Sequence, residues 1–506
     1  MISRKSTPLN DLIFSKSGDF IIADQLPAYT YKDFQRTTLR VGNQLDGLGI
    51  SQNDVICSVI NNGPLAATSF LAIANHATSA PLNPNFTYEE FKYYLKDLNA
   101  KILITEGDHF SLANKAAEEI GIEIITLQKC YLPGDFYLSK DGKELSEGTA
   151  RLNSHSDTAL VLHTSGTTSK PKIVNLTSNN ICISAENISR TLQLKPEDKY
   201  LNIMPLFHIH GLIAGVLSTV TAGASMICTH GFDALKFFNQ IEMFQPSWYS
   251  AVPTMHQAIL ARSTRNTKII KKNQLRFIRS SSASLPIPTL EDLERTFNCP
   301  VIEAYGMTEA AHQMASNPLP PRKRKVGTVG LAAGPEIRVI TASGEYLSAN
   351  QTGEIVIKGK NVTPGYKNNV KANAESFIKG WFRTGDQGFF DSDGYLTISG
   401  RLKEIINRGG EKISPKEVDE ILMKHPSVSQ AVTFSIPHQK LGEDVAAAIV
   451  CSEKCSCTQN ELKTFVKGYL APFKVPRKIF FLKEIPKGST GKLHRLGLAK
   501  KLGLLK

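Results

Sequence analysis

The stretch "DTALVLHTSGTTSKPKIVNL" (residues 157–176) decides how this chain is read. Its first part, "DTALVLHT" (157–164), is apolar and reads as a buried strand. "KIVNL" (172–176) reads as a second strand. Thr177 or Ser178 then stands where it can cap a helix beginning at Asn179. Between the strands lies a loop that does not fit the common phosphate-loop templates. A Walker A loop needs G-x-x-x-x-G-K-[ST], whereas here Gly166 is followed by Lys170 and then Pro171. A dinucleotide fingerprint fails because the loop has one glycine. The ingredients of an anion cradle are nonetheless present: a Gly-containing turn, the hydroxyls of Thr164, Ser165, Thr167 and Thr168, and the charges of Lys170 and Lys172. A plain polar turn has the same composition, so the loop alone leaves phosphate binding open.

Working outward, short β-rich runs alternate with helical patterns between residues 150 and 400, the texture of a layered α/β domain. Past residue 380 it changes to strands joined by turn signals such as Asp393-Gly394. After Arg401 comes a separate pattern. Ser414-Pro415-Lys416-Glu417 and Thr458-Gln459-Asn460-Glu461 both have capping-box spacing and open helices, and "SVSQAVTFSI" and "DVAAAIVC" read as strands. A chain of 506 residues is too long for one hydrophobic core. The expected architecture is α/β: a large multi-layer N-terminal domain over residues 1–399 and a small α+β C-terminal domain over 404–506, joined at 400–403.

Composition narrows the class. With 41% apolar and 21% charged residues, the chain is neither disordered nor fibrous. The most membrane-like segment, residues 209–228, carries a His, scattered Gly and several hydroxyls, so it reads as a buried helix and strand rather than a span. The start has no secretory pattern and the end is not Ser-Lys-Leu, so a cytoplasmic protein is expected. The eight cysteines therefore read as free thiols, and the Cys451, Cys455, Cys457 group lacks the ligand set and spacing of a zinc site. Residues 401–506 hold 20 Lys+Arg against 10 Asp+Glu, giving most of the net +13. A basic face suits an anionic partner, though a solvated lysine-rich surface has the same charge.

Five segments settle the reading: "TSGTTSKPK" (164–172), "EAYGMTEAA" (303–311), "WFRTGD" (381–386), "GRLKEIINRGGEKISPKEVD" (400–419) and "PKGSTGKLHR" (486–495). In this order and spacing they resemble the adenylate-forming enzymes, the superfamily of acyl-CoA synthetases, luciferases and peptide-synthetase adenylation domains. The resemblance covers essentially the whole chain. It departs from the family at Ser169, where glycine is usual. It implies ATP, Mg²⁺ and CoA as partners of a small-molecule carboxylic acid. Lys492 matches the catalytic lysine, Thr308 a phosphate contact and Glu309 the Mg²⁺ ligand. His208 matches a residue common across the superfamily. The loop Thr164 to Thr168 with Lys172 would hold phosphates, Glu303 and Ala304 would belong to the cofactor site with the Tyr305 ring packing on adenine, and Asp386 with Arg401 would hold the ribose. Lys403 matches the hinge about which the C-terminal domain moves between half-reactions, and Gly409, Gly410 and Lys412 would then face the thiol channel.

The acid is read from three stretches, "MPLFHIHG" (204–211), "RSSSASL" (279–285) and "AAHQMASNPLP" (310–320). Positions that are small and apolar in relatives acting on aromatic or fatty acids are here Ser281 and Ser282. His208, His210, His312 and Gln313 add polar groups. Beside an alkyl chain such groups would lose water without gaining a partner. They suit a short acid with its own second carboxylate, and "YGMTEAAHQMASNPLPP" resembles the oxalate–CoA ligase branch. The alternative is a ligase for an aryl (4-coumarate-like) or medium-chain acid, whose pocket would be apolar. A carrier-protein acceptor in place of CoA is a further reading. Nucleic-acid binding through "PRKRKV" (321–326) and the basic C-terminal module would be secondary, since no stacking series accompanies it.

Overall fold

The computed structural model describes residues 8–164, 171–452, 457–488, 493 and 495–504. Among the described residues four sheets form. Two large ones and a five-stranded sheet share the principal core of the N-terminal domain. The nine-stranded sheet has a parallel centre running Val301–Met307, Phe277–Ser280, Trp248–Ala251, Lys199–Asn202 and Ser225–Cys228. The eight-stranded sheet includes Thr158–His163 and Ile173–Thr177, the two strands read from the quoted stretch, here paired antiparallel. Helices cover the parallel strands, which accounts for their near-continuous apolar runs. The principal core is continuous between the sheets, uniting Phe20, Trp248 and Phe277 with Ile56, Leu160 and Val174. Within it Trp248 lies between Tyr200 and Phe277, at centroid distances of 4.3 and 5.3 Å.

Residues 209–228 form a buried π-helix (His210–Leu217), a short helix (Ser218–Ala222) and the strand Ser225–Cys228. No helix among the described residues is long and apolar enough to cross a membrane. Thr177 caps the helix Ser178–Thr191 in a reciprocal box with Asn180.

A five-stranded sheet follows, in which Trp381–Phe390 and Leu396–Arg401 form a hairpin. The smaller C-terminal domain is built on its own five-stranded sheet, in which Gly442–Cys451 pairs with Ile406–Arg408, Val428–His438 and Lys478–Phe481, and the helices Pro415–Leu422 and Gln459–Lys467 pack on it. Thr458 and Glu461 form the capping box read from the sequence. Ser414 and Glu417 do not. The Ser414 hydroxyl donates to the Ser399 carbonyl instead, and Glu417 pairs with Lys474 at 2.7 Å. Proline at the first helical position already removes one unsatisfied N–H, so tertiary partners win both side chains.

Candidate active site

The site gathers at the carboxyl ends of the parallel strands, the customary ligand position in open α/β sheets. The neck of the glycine loop is closed by Thr164 and Lys172: the Thr164 N–H donates to the Lys172 carbonyl at 2.9 Å, and Thr164 Oγ1 accepts from the Lys172 N–H at 3.1 Å. Ser165, Gly166, Thr167 and Thr168 lie outside the described residues, as does Lys492. The Lys172 ammonium sits over the ring of Tyr366, 4.4 Å from its centroid. The Tyr366 hydroxyl donates to Glu309 at 2.7 Å. Loop and "YGMTE" segment are thus joined by a residue to which no motif pointed. Burial raises the Glu309 carboxyl above the usual range, against the pull of Tyr366, Arg401 and Lys172. A phosphate-bound divalent cation would reverse that direction, and a buried carboxylate beside two basic groups suits that partner. Thr308 is half-buried just ahead of it.

On the other side of the strand Val301–Met307, the Tyr305 hydroxyl donates to Asp386. Asp386 also accepts from Arg401 Nε at 2.9 Å, and hairpin register places these two residues directly opposite each other. Asp386 is buried while Arg401 remains exposed, so the pair presents an acceptor held by a cation. Glu303 is buried with one carboxylate oxygen unpartnered, and burial pushes its pKa up to about 8 despite Lys416 nearby. Ala304 is buried; its carbonyl accepts the Ser281 hydroxyl at 2.9 Å. Lys403 is exposed in the short turn Leu402–Glu404. Gly409 and Gly410, at φ of 59° and 99°, turn the hairpin between Ile406–Arg408 and Glu411–Ile413.

The polar residues assigned to the acid divide into two groups. His210, Ser282 and His312 converge. His210 Nδ1 is 2.9 Å from Ser282 Oγ, its Nε2 is 2.6 Å from Ser250 Oγ, and its ring centroid is 5.0 Å from that of His312. His312 is buried with Nδ1 unpartnered. Ser282 and His312 both have positive φ, 70° and 94°. For non-glycine residues this is strained backbone that persists only where surrounding structure over-determines it. Burial, with the charge of Arg279, drives both imidazoles well below their usual range, so they are neutral near pH 7. His208 is pushed down to about 4 by burial.

Ser281 and Gln313 stand differently. The Ser281 proton is committed to Ala304. The Gln313 amide donates to Thr191 Oγ1 and the Ala333 carbonyl, while its oxygen faces Arg279 Nη2 at 3.5 Å. Their donors serve the fold around the site. Arg279 itself was passed over in the sequence, although it opens the "RSSSASL" stretch. Its signal was a basic residue inside "LRFIRS", a run bound for a strand covered on both faces.

A model of the AMP-binding enzyme family matches residues 16–367, and a model of the AMP-binding enzyme C-terminal domain matches residues 417–492. An oxalate–CoA ligase from Arabidopsis thaliana is 44% identical over 453 residues, covering 88% of this chain and 88% of that protein. One from Saccharomyces cerevisiae is 40% identical over 506 aligned positions, covering 93% and 92%. In three dimensions the chain superposes on ATP-bound MatB from Rhodopseudomonas palustris with a TM-score of 0.87 at 26% identity, over 99% of this chain and 98% of that one.

Proposed function

The chain belongs to the AMP-binding enzyme family and is an ATP-dependent acid–CoA ligase, and from that premise we propose that it acts on oxalate or another short dicarboxylate. A carboxylate is a poor acyl donor. Its attack on the α-phosphate of ATP expels pyrophosphate and gives an acyl-adenylate, from which the CoA thiol displaces AMP. Both partners of the first step are anionic, so the protein's task is to supply positive charge where negative charge accumulates. We assign that role to Lys492, with the Thr164–Lys172 loop and Thr308 on the phosphates. Asp386, braced by Tyr305 and Arg401, would accept from the ribose. Glu309 would hold Mg²⁺, which when bound neutralises phosphate charge. Residues 400–403 would be the hinge and 404–506 the moving lid.

The observation that carries the substrate reading is the convergence of His210, Ser282 and His312, with the His312 Nδ1 buried and unpartnered. An alkyl or aryl acid would leave the buried His312 Nδ1 unpaired, at about 1–3 kcal/mol. A second carboxylate would satisfy it. The test is CoA-dependent AMP release with oxalate, malonate, acetate, octanoate and 4-coumarate. The expected result is a kcat/KM for oxalate at least about tenfold above the monocarboxylates, from one such unpaired group at 1.4 kcal/mol per decade. Preference for octanoate or 4-coumarate would keep the enzyme class and overturn the pocket reading.

A further inference from the structure

Arg279 is a fully buried cation, with 0% of its surface exposed, on the central strand Phe277–Ser280. Among the described residues no carboxylate pairs with it. Its contacts are long: Nη1 to His210 Nε2 and to Ser250 Oγ, both 3.4 Å, and Nη2 to Gln313 Oε1, 3.5 Å. Nε has no partner. A buried guanidinium with neutral neighbours is costly unless something nearby uses its charge.

The donor inventory shows what that use is. Guanidinium donates and never accepts. With Arg279 Nη1 facing His210 Nε2, that nitrogen is the acceptor of the ring, and the Ser250 hydroxyl 2.6 Å away donates to it. The ring proton then sits on Nδ1 and is given to Ser282 Oγ at 2.9 Å. Ser282, receiving rather than giving, keeps its own hydroxyl proton for another partner. It is also the half-buried end of the chain, where Arg279 and His210 are sealed, and its backbone is held at a φ of 70°.

We propose that Arg279 is a positioning residue that fixes the direction of a hydrogen-bond relay, Arg279 to Ser250 and His210 to Ser282, leaving the Ser282 hydroxyl as a dedicated donor to the second carboxylate of the acid. The inference rests on the dicarboxylate reading above. It adds a residue that never touches substrate yet selects it.

The test combines a mutant cycle with a tautomer measurement. Arg279→Met should raise KM for oxalate about ten- to hundredfold, the cost of losing one oriented donor to a charge, with KM for ATP changed less than about twofold. Arg279→Lys, which keeps a donor-only cation, should restore most of the loss. Ser282→Ala should match Arg279→Met, and the double variant should be no worse than the worse single one. Independently, ¹⁵N-histidine NMR of the wild-type full chain, with His210 assigned through His210→Gln, should show the Nδ1–H tautomer. That measurement stands even if Arg279→Met does not fold. Additive losses, equal damage to ATP and oxalate, or an Nε2–H tautomer would each overturn the relay. Wild-type enzyme that uses only monocarboxylates would instead overturn the dicarboxylate reading before any variant is made.

Discussion

At the scale of single residues, Glu303 and Lys492 give the sharpest expectations. The Glu303 carboxyl has its folded pKa raised by burial from 4.5 to about 8. Between those values the unfolded chain has released this proton and the folded protein holds it. The unfolded state therefore binds fewer protons, and stability falls as pH rises through that window, levelling off above it. Glu303→Gln removes this titration, so the urea midpoint of the wild type should fall relative to that of Glu303→Gln as pH rises from 5.5 to 8.5, the buried histidines contributing equally to both. For Lys492 the expectation is chemical. Lys492→Ala should slow adenylate formation by about 10²–10³-fold, the range for removing one preorganised charge-stabilising group, with an unchanged melting temperature. Pyrophosphate release and circular dichroism check the two halves. The glycine loop and this lysine are legible in the sequence because their motifs are local. Arg279 and Tyr366 were not, since their partners lie at residues 210, 250 and 313 and at 172 and 309.

At the scale of elements, the hairpin of Val301–Met307 and His312–Ser316 carries both halves of the site. Tyr305 and Thr308 lie on one arm or its end, and His312 on the other. Its register shifts between Tyr305 and Gly306, where the backbones approach so closely that a Cβ on Gly306 would meet the His312 carbonyl oxygen at 1.9 Å. Backbone cannot rotate away as a side chain can. Gly306→Ala should destabilise the protein by about 1–3 kcal/mol, the range for overpacking, and raise KM for the acid more than KM for ATP. Thermal unfolding and steady-state kinetics with each substrate varied would check both parts. Asn361, fully buried, braces the same turn by donating to the Ala310 and Gln313 carbonyls at 2.8 and 3.1 Å. The two capping boxes mark the limit of local reading: identical spacing forms a box at Thr458 but not at Ser414, where the Ser399 carbonyl is the competing acceptor.

At the scale of the whole molecule, polar ties between the two domains among the described residues include Gln257 Nε2 to the Ser429 carbonyl at 3.4 Å and a pair near the turn Leu402–Glu404. The Ser414 hydroxyl and Lys416 ammonium donate to the Ser399 and Ile398 carbonyls. Within the C-terminal domain, Arg495 joins Glu404 at 2.9 Å and Asp419 at 2.8 Å, so the segment after the turn is fastened to the body that would move. A hinge needs only a few residues that absorb dihedral change, and proline forbids that change. Lys403→Pro should therefore leave acid-dependent pyrophosphate release nearly intact and suppress thioester formation about tenfold or more, a barrier increase of about 1.4 kcal/mol. Loss of both half-reactions would place the hinge elsewhere.

The sequence by itself determined the α/β class, the strand–loop–strand opening at 157–176, the change of texture after residue 400 and the family motifs, because these depend on periodicity, turn chemistry and short-range order. Only the tertiary structure decided which polar residues face one another. Ser281 and Ser282 are neighbours in the chain, yet one gives its proton to Ala304 and the other meets His210. Arg279 and Gln313 are joined across 34 positions. The physical reason is that a buried polar group is defined by its partner, and the partner is supplied by strand register and helix packing rather than by sequence distance.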